Sequence, residues 1–251
     1  MTRNWFEQGG GNYAAHRPDY PAELGAELAR IAPRRGTAVD VGCGTGQLTG
    51  LLAEHFTHVI GVDPGEDQLA HAAPARGVDY VHGTAEDLPV VDGRADLVTA
   101  AQAAHWFDLP AFYTQARRIA APGAVLALIS YGVVEVEPGL RERFERFYWR
   151  EIGPFWPPER RLVETGYRDI DFPFPQVPVA ALSIRRSWPL DAFLGYLGTW
   201  SAVRNAAESG HDDVLRHYAA DLTEAWGEPS RPRDVVWPIT VRAGRLDGES
   251  R

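Results

Sequence analysis

The chain has 251 residues, of which 45% are hydrophobic, and its formal net charge at pH 7 is −9. This length and apolar content are sufficient for one large domain with a hydrophobic core, and they exclude a wholly disordered chain. The acidic balance argues against nucleic acid or an anionic membrane surface as the main partner.

Other features exclude further classes of protein. The one cysteine, Cys43, excludes an internal disulfide framework. The first ten residues lack the basic region and apolar run of a secretory signal, and no run approaches the ~18 apolar residues of a membrane span. The histidines do not have the spacing of metal ligands, so no metal is expected. These features predict a cytoplasmic protein without a membrane partner.

Short apolar strands alternate with amphipathic helices over the first half of the chain. Apolar residues at helical spacing predict a helix over residues 21–32. The alternation then predicts strands at 37–42, 58–63, 78–83, 95–103 and 124–132, and helices at 46–56, 67–73 and 109–120. Such an alternation is typical of a parallel sheet with helices on both faces.

The alternation ends after Gly132, and a Pro-rich connector interrupts the second half of the chain. The later segments are predicted as helices at 139–152, 189–206 and 212–227, an extended stretch at 167–190, and a closing strand at 233–246. The predicted fold is α/β, a Rossmann-like, doubly wound, mostly parallel sheet of seven strands with a helical cap inserted late in the chain.

This pattern predicts three regions. Residues 1–132 form an N-terminal segment and a Rossmann-like core. Residues 133–225 form a substrate-binding cap that also contributes a sheet strand, and residues 226–251 form the closing strand and tail.

Three glycines, Gly42, Gly44 and Gly46, stand at alternate positions after the first predicted strand. Glycine weakens regular structure, but it allows a tight turn and a close approach to a ligand at the carboxyl edge of a parallel sheet. Asp63 ends the second predicted strand, 21 residues after Gly42, where a carboxylate can bind the two hydroxyls of a ribose. The pattern predicts a ligand that contains adenosine.

Asp40, at the end of the first predicted strand, indicates which adenosine compound binds. A dinucleotide site requires a small residue where Gln47 stands, and a carboxylate would repel a pyrophosphate. The same carboxylate attracts an ammonium group, by roughly 1–3 kcal/mol for a charge-assisted hydrogen bond. S-adenosylmethionine has an α-amino group and a ribose but no phosphate. The alternative is an ordinary glycine-rich turn that binds no ligand.

Four segments, residues 39–49, 59–72, 80–89 and 96–108, resemble the successive motifs of class I S-adenosylmethionine-dependent methyltransferases. They are most similar to the small-molecule branch, which includes trans-aconitate methyltransferase-like enzymes and methyltransferase type 11-like domains. The resemblance extends over residues 36–130 and implies S-adenosylmethionine as cofactor, with S-adenosylhomocysteine as its product.

The resemblance also implies which residues bind the cofactor. Asp40 and the loop of Gly42, Cys43, Gly44 and Gly46 would hold the methionine moiety, Asp63 and Pro64 the ribose, Ala85 and Glu86 the adenine, and Gln102 the sulfonium end. An N-terminal segment with Tyr13 and Arg17 would fold over the cofactor, and Arg17 would bind the methionine carboxylate.

Three of these residues have alternative interpretations. Arg17 could be a surface arginine on a turn, and Glu86 a solvated turn residue. Cys43 is interpreted as a small residue between glycines, and the alternative is a thiol made reactive by a helix N-terminus.

The loop after the fourth predicted strand supplies the candidate acceptor site. His105 could be a general base, or it could only shape the pocket and set its polarity. Trp106, Tyr131 and Trp200 are predicted to contact the substrate with His105, whereas Phe107 is predicted to lie in the core. Arg204 could bind an acidic substrate, or form a surface ion pair.

The predicted function is methyl transfer from S-adenosylmethionine to a small organic molecule. Oxygen, in a carboxylate, phenol or hydroxyl group, is the predicted acceptor atom, with nitrogen and carbon as alternatives. An RNA or protein methyltransferase is a second possibility, although nucleic acid would favour a basic surface. A third is a protein that binds the cofactor without transferring methyl. The sequence leaves the acceptor and the oligomeric state open.

Overall fold

The computed structural model describes residues 18–247, and within them nine strands form one sheet. The first five strands are β1 (Thr37–Val41), β2 (His58–Asp63), β3 (Val78–His82), β4 (Ala95–Ala101) and β5 (Ala120–Tyr131). They lie in the order β3-β2-β1-β4-β5, and each neighbouring pair is parallel. This arrangement confirms the predicted α/β class and brings the carboxyl ends of β1, β2 and β4 to one edge.

The last long strand, β9 (Arg233–Arg245), pairs antiparallel with β5 on one side and with β8 (Leu182–Trp188) on the other. The strands of five residues or more therefore number seven in residues 18–247, as predicted. Two further strands of two residues each, β6 (Glu135–Val136) and β7 (Gln176–Val177), also pair with β9. They fit because β9 is 13 residues long and extends beyond β5 at one end and β8 at the other.

Helices α1 (Ala22–Ile31), α2 (Gln47–Ala53), α3 (Glu66–Ala70) and α4 (Leu109–Ile119) accompany the parallel strands. The later helices are α5 (Pro138–Arg146), α6 (Arg160–Glu164), α7 (Leu190–Gly198), α8 (Ser201–Glu208) and α9 (Asp213–Trp226). A π-helical turn, Phe147–Glu151, continues α5. The predicted helix over 189–206 is divided into α7 and α8, because Trp200 is extended and its ring enters the aromatic core of the cap.

Two hydrophobic clusters lie on the two faces of the sheet. The first contains α1, α2, the aromatic residues of α5, α7 and α9, and Ala202 and Ala206 of α8, so the cap helices share a core with one face of the sheet. The second contains α4 and the segment from Val163 to Phe174. That segment lies within the predicted cap region but packs on the other face of the sheet.

A search of residues 18–247 finds no helix with the length and apolar character needed to cross a membrane.

Candidate active site

The three glycines after β1 all have positive φ angles, 70° at Gly42, 54° at Gly44 and 87° at Gly46. A Cβ at Gly42 would overlap the side chain of Ala103, and one at Gly46 would overlap the hydroxyl of Tyr80. At Gly44 the nearest atom to an added Cβ is 3.9 Å away. The loop is therefore packed against protein at both ends and open at Gly44, which leaves room for a ligand against the backbone.

Asp63, at the end of β2, joins this loop to the next one. Its Oδ2 accepts a hydrogen bond from the N–H of Gly44 at 2.8 Å, and its Oδ1 accepts one from the N–H of Gly65 at 2.8 Å. Each carboxylate oxygen retains acceptor capacity for a further donor. Pro64, the next residue, is exposed. The predicted ribose-binding carboxylate therefore lies directly beside the open glycine.

Asp40 lies beneath the loop, and only 1% of it is exposed. Its two oxygens accept hydrogen bonds from the hydroxyls of Thr49 at 2.7 Å and Thr99 at 2.8 Å. Burial raises the pKa of the Asp40 carboxyl to about 6, and the negative charge of Asp63 adds to the shift. An ammonium group bound nearby would favour the ionised form of Asp40.

Cys43 is buried between the glycines. Burial, followed by the negative charges of Asp40 and Asp63, raises the pKa of its thiol well above the usual range. This direction is opposite to that required for a reactive thiolate, so the structure favours the interpretation of Cys43 as a small packing residue.

The two residues predicted to flank the adenine lie after β3. Ala85 is buried, and Glu86 Oε1 accepts a hydrogen bond from the N–H of Asp108 at 3.0 Å. Asp108 in turn accepts a hydrogen bond from the N–H of Ala111 at 3.2 Å and so caps α4. Glu86 therefore ties the loop after β3 to the start of α4, a local role that sequence reasoning missed.

Gln102 follows β4 with a φ of +53°, an unusual conformation for a residue other than glycine. Its amide Nε2 donates a hydrogen bond to the carbonyl of Tyr131 at 2.9 Å. The Tyr131 ring is buried and packs edge-on against Tyr20, with ring centroids 5.9 Å apart. Gln102, predicted to border the cofactor, and Tyr131, predicted to contact the substrate, are thus neighbours in the structure. Tyr13 and Arg17 lie outside the described residues.

His105 lies in a 3₁₀ turn after β4, and its Nδ1 is 3.0 Å from the hydroxyl oxygen of Tyr167. Burial lowers the pKa of His105 to about 3, and the charge of Arg160 adds to the shift. We assign the Tyr167 hydroxyl as the donor to Nδ1, which leaves the ring proton of a neutral His105 on Nε2.

The other predicted aromatic residues divide between the loop and the cap. The Trp106 ring lies beside His105, with centroids 4.8 Å apart, and Phe107 packs on Phe112 in the second cluster, as expected. Trp200 is only 3% exposed and has aromatic neighbours on several sides. Those neighbours are Phe144, Phe147, Tyr148, Trp156 and Tyr196. The structure thus gives Trp200 a packing role in the cap.

A polar cluster beside His105 was not predicted. Arg160 Nε donates a hydrogen bond to Tyr148 Oη at 3.2 Å, and that hydroxyl donates one to Glu164 Oε1 at 2.6 Å. The Arg160 guanidinium carbon lies 4.7 Å from the centroid of the Trp156 ring. The sequence predicted only a Pro-rich connector here. Trp156 and Arg160 within it were the residues that could have indicated a polar site. Arg204, the suggested acid-binding residue, is exposed on α8.

Comparisons with known proteins agree with this geometry. The family model described as "Methyltransferase domain" matches residues 39–128. A candidate methyltransferase of Dictyostelium discoideum is 32% identical over 235 residues, which cover 91% of this chain and 89% of that protein. The malonyl-[acyl-carrier protein] O-methyltransferase of Methylococcus capsulatus is 28% identical over 229 residues, covering 85% of this chain and 79% of that protein.

Among solved structures, a candidate type II methyltransferase from Anaeromyxobacter dehalogenans is similar with a TM-score of 0.86 and 47% identity. The match covers 92% of this chain and 98% of that one. The motifs, the sheet order and these relatives lead to the same assignment, and the chain belongs to the class I S-adenosylmethionine-dependent methyltransferases.

Proposed function

We propose that this enzyme transfers the methyl group of S-adenosylmethionine to an oxygen atom of a small organic molecule. The observation that carries the proposal is the loop from Gly42 to Gly46, which is open at Gly44 and bordered there by the carboxylate of Asp63. The cofactor supplies a methyl group on a positively charged sulfur. The chain's own residues bind, orient and shield the reactants.

The residues present fit this cofactor. The open backbone at Gly44 provides space without a side chain, and Asp63 has acceptor capacity for the ribose hydroxyls. Asp40 provides negative charge for the ammonium from beneath the loop. Ala85 and Glu86 would flank the adenine, and Gln102 would border the sulfonium end. This arrangement contains acceptors for hydroxyl and ammonium groups, as a zwitterionic nucleoside requires.

The state of His105 favours an acceptor oxygen that is already anionic. An imidazole with a pKa of about 3 is a poor base near neutral pH, so it would give little help to a phenol or an alcohol. Its Nε2–H can instead donate a hydrogen bond that orients the acceptor. A carboxylate needs no base, and the relative in Methylococcus capsulatus is named as an O-methyltransferase. These points support a carboxylate as the methylated group.

Two properties support a small molecule over RNA or protein. The chain has a net charge of −9, which disfavours a polyanion. The helices of the cap share a continuous core with one face of the sheet, so they are held in a fixed position on it.

The proposal is tested with methyl-labelled S-adenosylmethionine and a panel of small carboxylic acids, phenols and alcohols. We expect label in a base-labile ester of an acid. Label in RNA or protein would support the second possibility instead. Tight binding of S-adenosylhomocysteine with no transfer across the panel would support a protein that binds the cofactor without methylating.

A further inference from the structure

Arg160 presents unused hydrogen-bond donors beside the predicted acceptor site. Its Nε is bonded to Tyr148, and the carboxylate of Glu164 approaches at the same nitrogen, at 3.9 Å. Within residues 18–247 the structure shows no hydrogen bond from its two terminal amino groups. The side chain is 20% exposed, so the guanidinium is partly buried while its terminal amino groups stay accessible to a ligand. A charged donor pair in this state favours an acceptor of opposite charge.

Trp156 is a second, independent observation. Its Nε1–H is buried and has no hydrogen-bond partner within the described residues. An unpaired buried donor destabilises the protein unless a ligand or water satisfies it. The ring of Trp156 also supports the guanidinium of Arg160, so both sets of donors belong to one small region.

This region adjoins the reaction site. Helix α6, which carries Arg160, packs on the turn that contains His105 and on the carboxyl end of β5. The charge of Arg160 also contributes to the pKa shifts of His105 and Tyr167, which places it within electrostatic reach of both. Arg160 therefore lies on the helix that packs against the turn of the predicted acceptor site.

We propose that Arg160 and Trp156 form an anchor for a carboxylate of the methyl acceptor, distinct from the oxygen that is methylated. This inference rests on the proposed function and specifies its substrate class, a small acid with a recognition carboxylate in addition to the acceptor group. The donor set contains a guanidinium and an indole N–H, with Glu164 occupied by Tyr148, and so it matches an anion.

The anchored carboxylate is not the methylated one, for a physical reason. Methylation neutralises a carboxylate, so an ion pair with Arg160 would stabilise the reactant more than the transition state and would raise the barrier. On a group that keeps its charge, the same ion pair orients the acceptor without that cost. Neutral His105 is the better neighbour for the reacting oxygen.

Acetate is a small carboxylate probe, and its binding tests the anchor without methyl transfer. It is titrated into the enzyme saturated with S-adenosylhomocysteine, and the indole N–H signal of Trp156 is followed by NMR after assignment with Trp156→Phe. We expect a saturable shift with acetate and none with acetamide. The acetate affinity should fall at least tenfold in Arg160→Gln and recover in part in Arg160→Lys.

Arg161→Gln is the matched control, because Arg161 is the exposed neighbour on the same helix. It should bind acetate as the wild type does. If Arg160→Gln does not fold, Trp156→Phe serves instead, with the Arg160 Nε–H signal as readout and weaker acetate binding as the expected result.

Equal responses to acetate and acetamide, or an unchanged acetate affinity in Arg160→Gln, would overturn the anchor. Such a result with intact S-adenosylhomocysteine binding would leave the proposed methyl transfer standing. Failure to bind S-adenosylhomocysteine would count against the proposed function itself.

Discussion

Burial shifts the pKa values of two side chains near the glycine loop in opposite directions. Burial lowers the pKa of His105 to about 3 and raises the pKa of Asp40 to about 6. In both cases the buried environment disfavours the charged form. The two side chains therefore make opposite contributions to the pH dependence of stability.

His105 should remain neutral throughout the range in which the enzyme works. We expect its NMR titration to show no protonation near pH 6.5, and the pH profile of kcat/KM to lack an ionisation there. Its contribution to stability is complete above about pH 6.5 and is lost as pH falls toward 3, because only the unfolded state gains the proton in that interval. Urea unfolding at pH 7 and pH 5 should show the wild type losing about 2 kcal/mol more than His105→Gln. Titration of His105 near pH 6.5 would contradict its assignment as a neutral donor.

Asp40→Asn should separate stability from cofactor binding. Because the folded-state pKa is raised from 3.8 to about 6, the stability that Asp40 provides is complete below about pH 4 and is lost as pH rises through 6. The hydroxyls of Thr49 and Thr99 can reorient toward an amide. At pH 7 the variant should unfold at the same or a higher urea concentration than the wild type, yet bind S-adenosylhomocysteine more weakly by calorimetry. Unchanged affinity would remove Asp40 from ammonium recognition.

At the residue scale the sequence predicted the residues that lie in local motifs. The glycine loop, Asp40 and Asp63 are recognisable because each stands at or directly after the carboxyl end of a strand. The partner of His105 is Tyr167, which is 62 residues distant in the chain, and no local pattern joins them. The polar cluster of Arg160 and Trp156 was not predicted for the same reason, since only tertiary packing brings these residues to the turn after β4.

At the scale of elements, the loop between β1 and α2 is shaped by backbone geometry, and Gly44 is the position at which this can be tested. Gly44→Ala adds a Cβ to the open face and forces a left-handed conformation on an L-residue, at a cost of about 1–2 kcal/mol. We expect S-adenosylhomocysteine affinity to fall at least tenfold by calorimetry.

Gly93→Ala is the matched control for this prediction. Gly93 has a φ of +67° and open space around it, but it lies on a different turn. It should share the loss of stability and keep the affinity. Equal affinities in the two variants would show that the cofactor does not approach Gly44.

Strand and helix prediction succeeded where periodicity is strong and failed where packing decides. The parallel strands were located to within a few residues because their apolar runs alternate with amphipathic helices. Helix α6 was missed because it is five residues long and follows prolines. The contacts of Arg143 on α5 were likewise not predicted: its side chain is only 14% exposed and lies over the ring of Tyr218 at 4.7 Å, with ion pairs to Glu151 and Asp221.

For the whole molecule, the cap and one face of the sheet share a single hydrophobic cluster. Phe193 on α7 is fully buried within it and packs against Phe144 and Trp226. Phe193→Ala should destabilise the protein by about 3–5 kcal/mol. Near-ultraviolet and far-ultraviolet circular dichroism should report one shared thermal transition at a lower Tm. Two separate transitions would mean that the cap and the sheet fold independently, as separate domains would.

We expect S-adenosylmethionine to bind where Asp63 meets the open glycine loop. Calorimetric titration with S-adenosylhomocysteine tests it most directly, on the wild type, on Asp63→Ala and on Asp67→Ala, which removes an exposed carboxylate from the adjacent helix. The wild type and Asp67→Ala should bind with similar affinity, and Asp63→Ala should bind at least tenfold more weakly while its circular dichroism is unchanged. Equal affinity in all three proteins would contradict it.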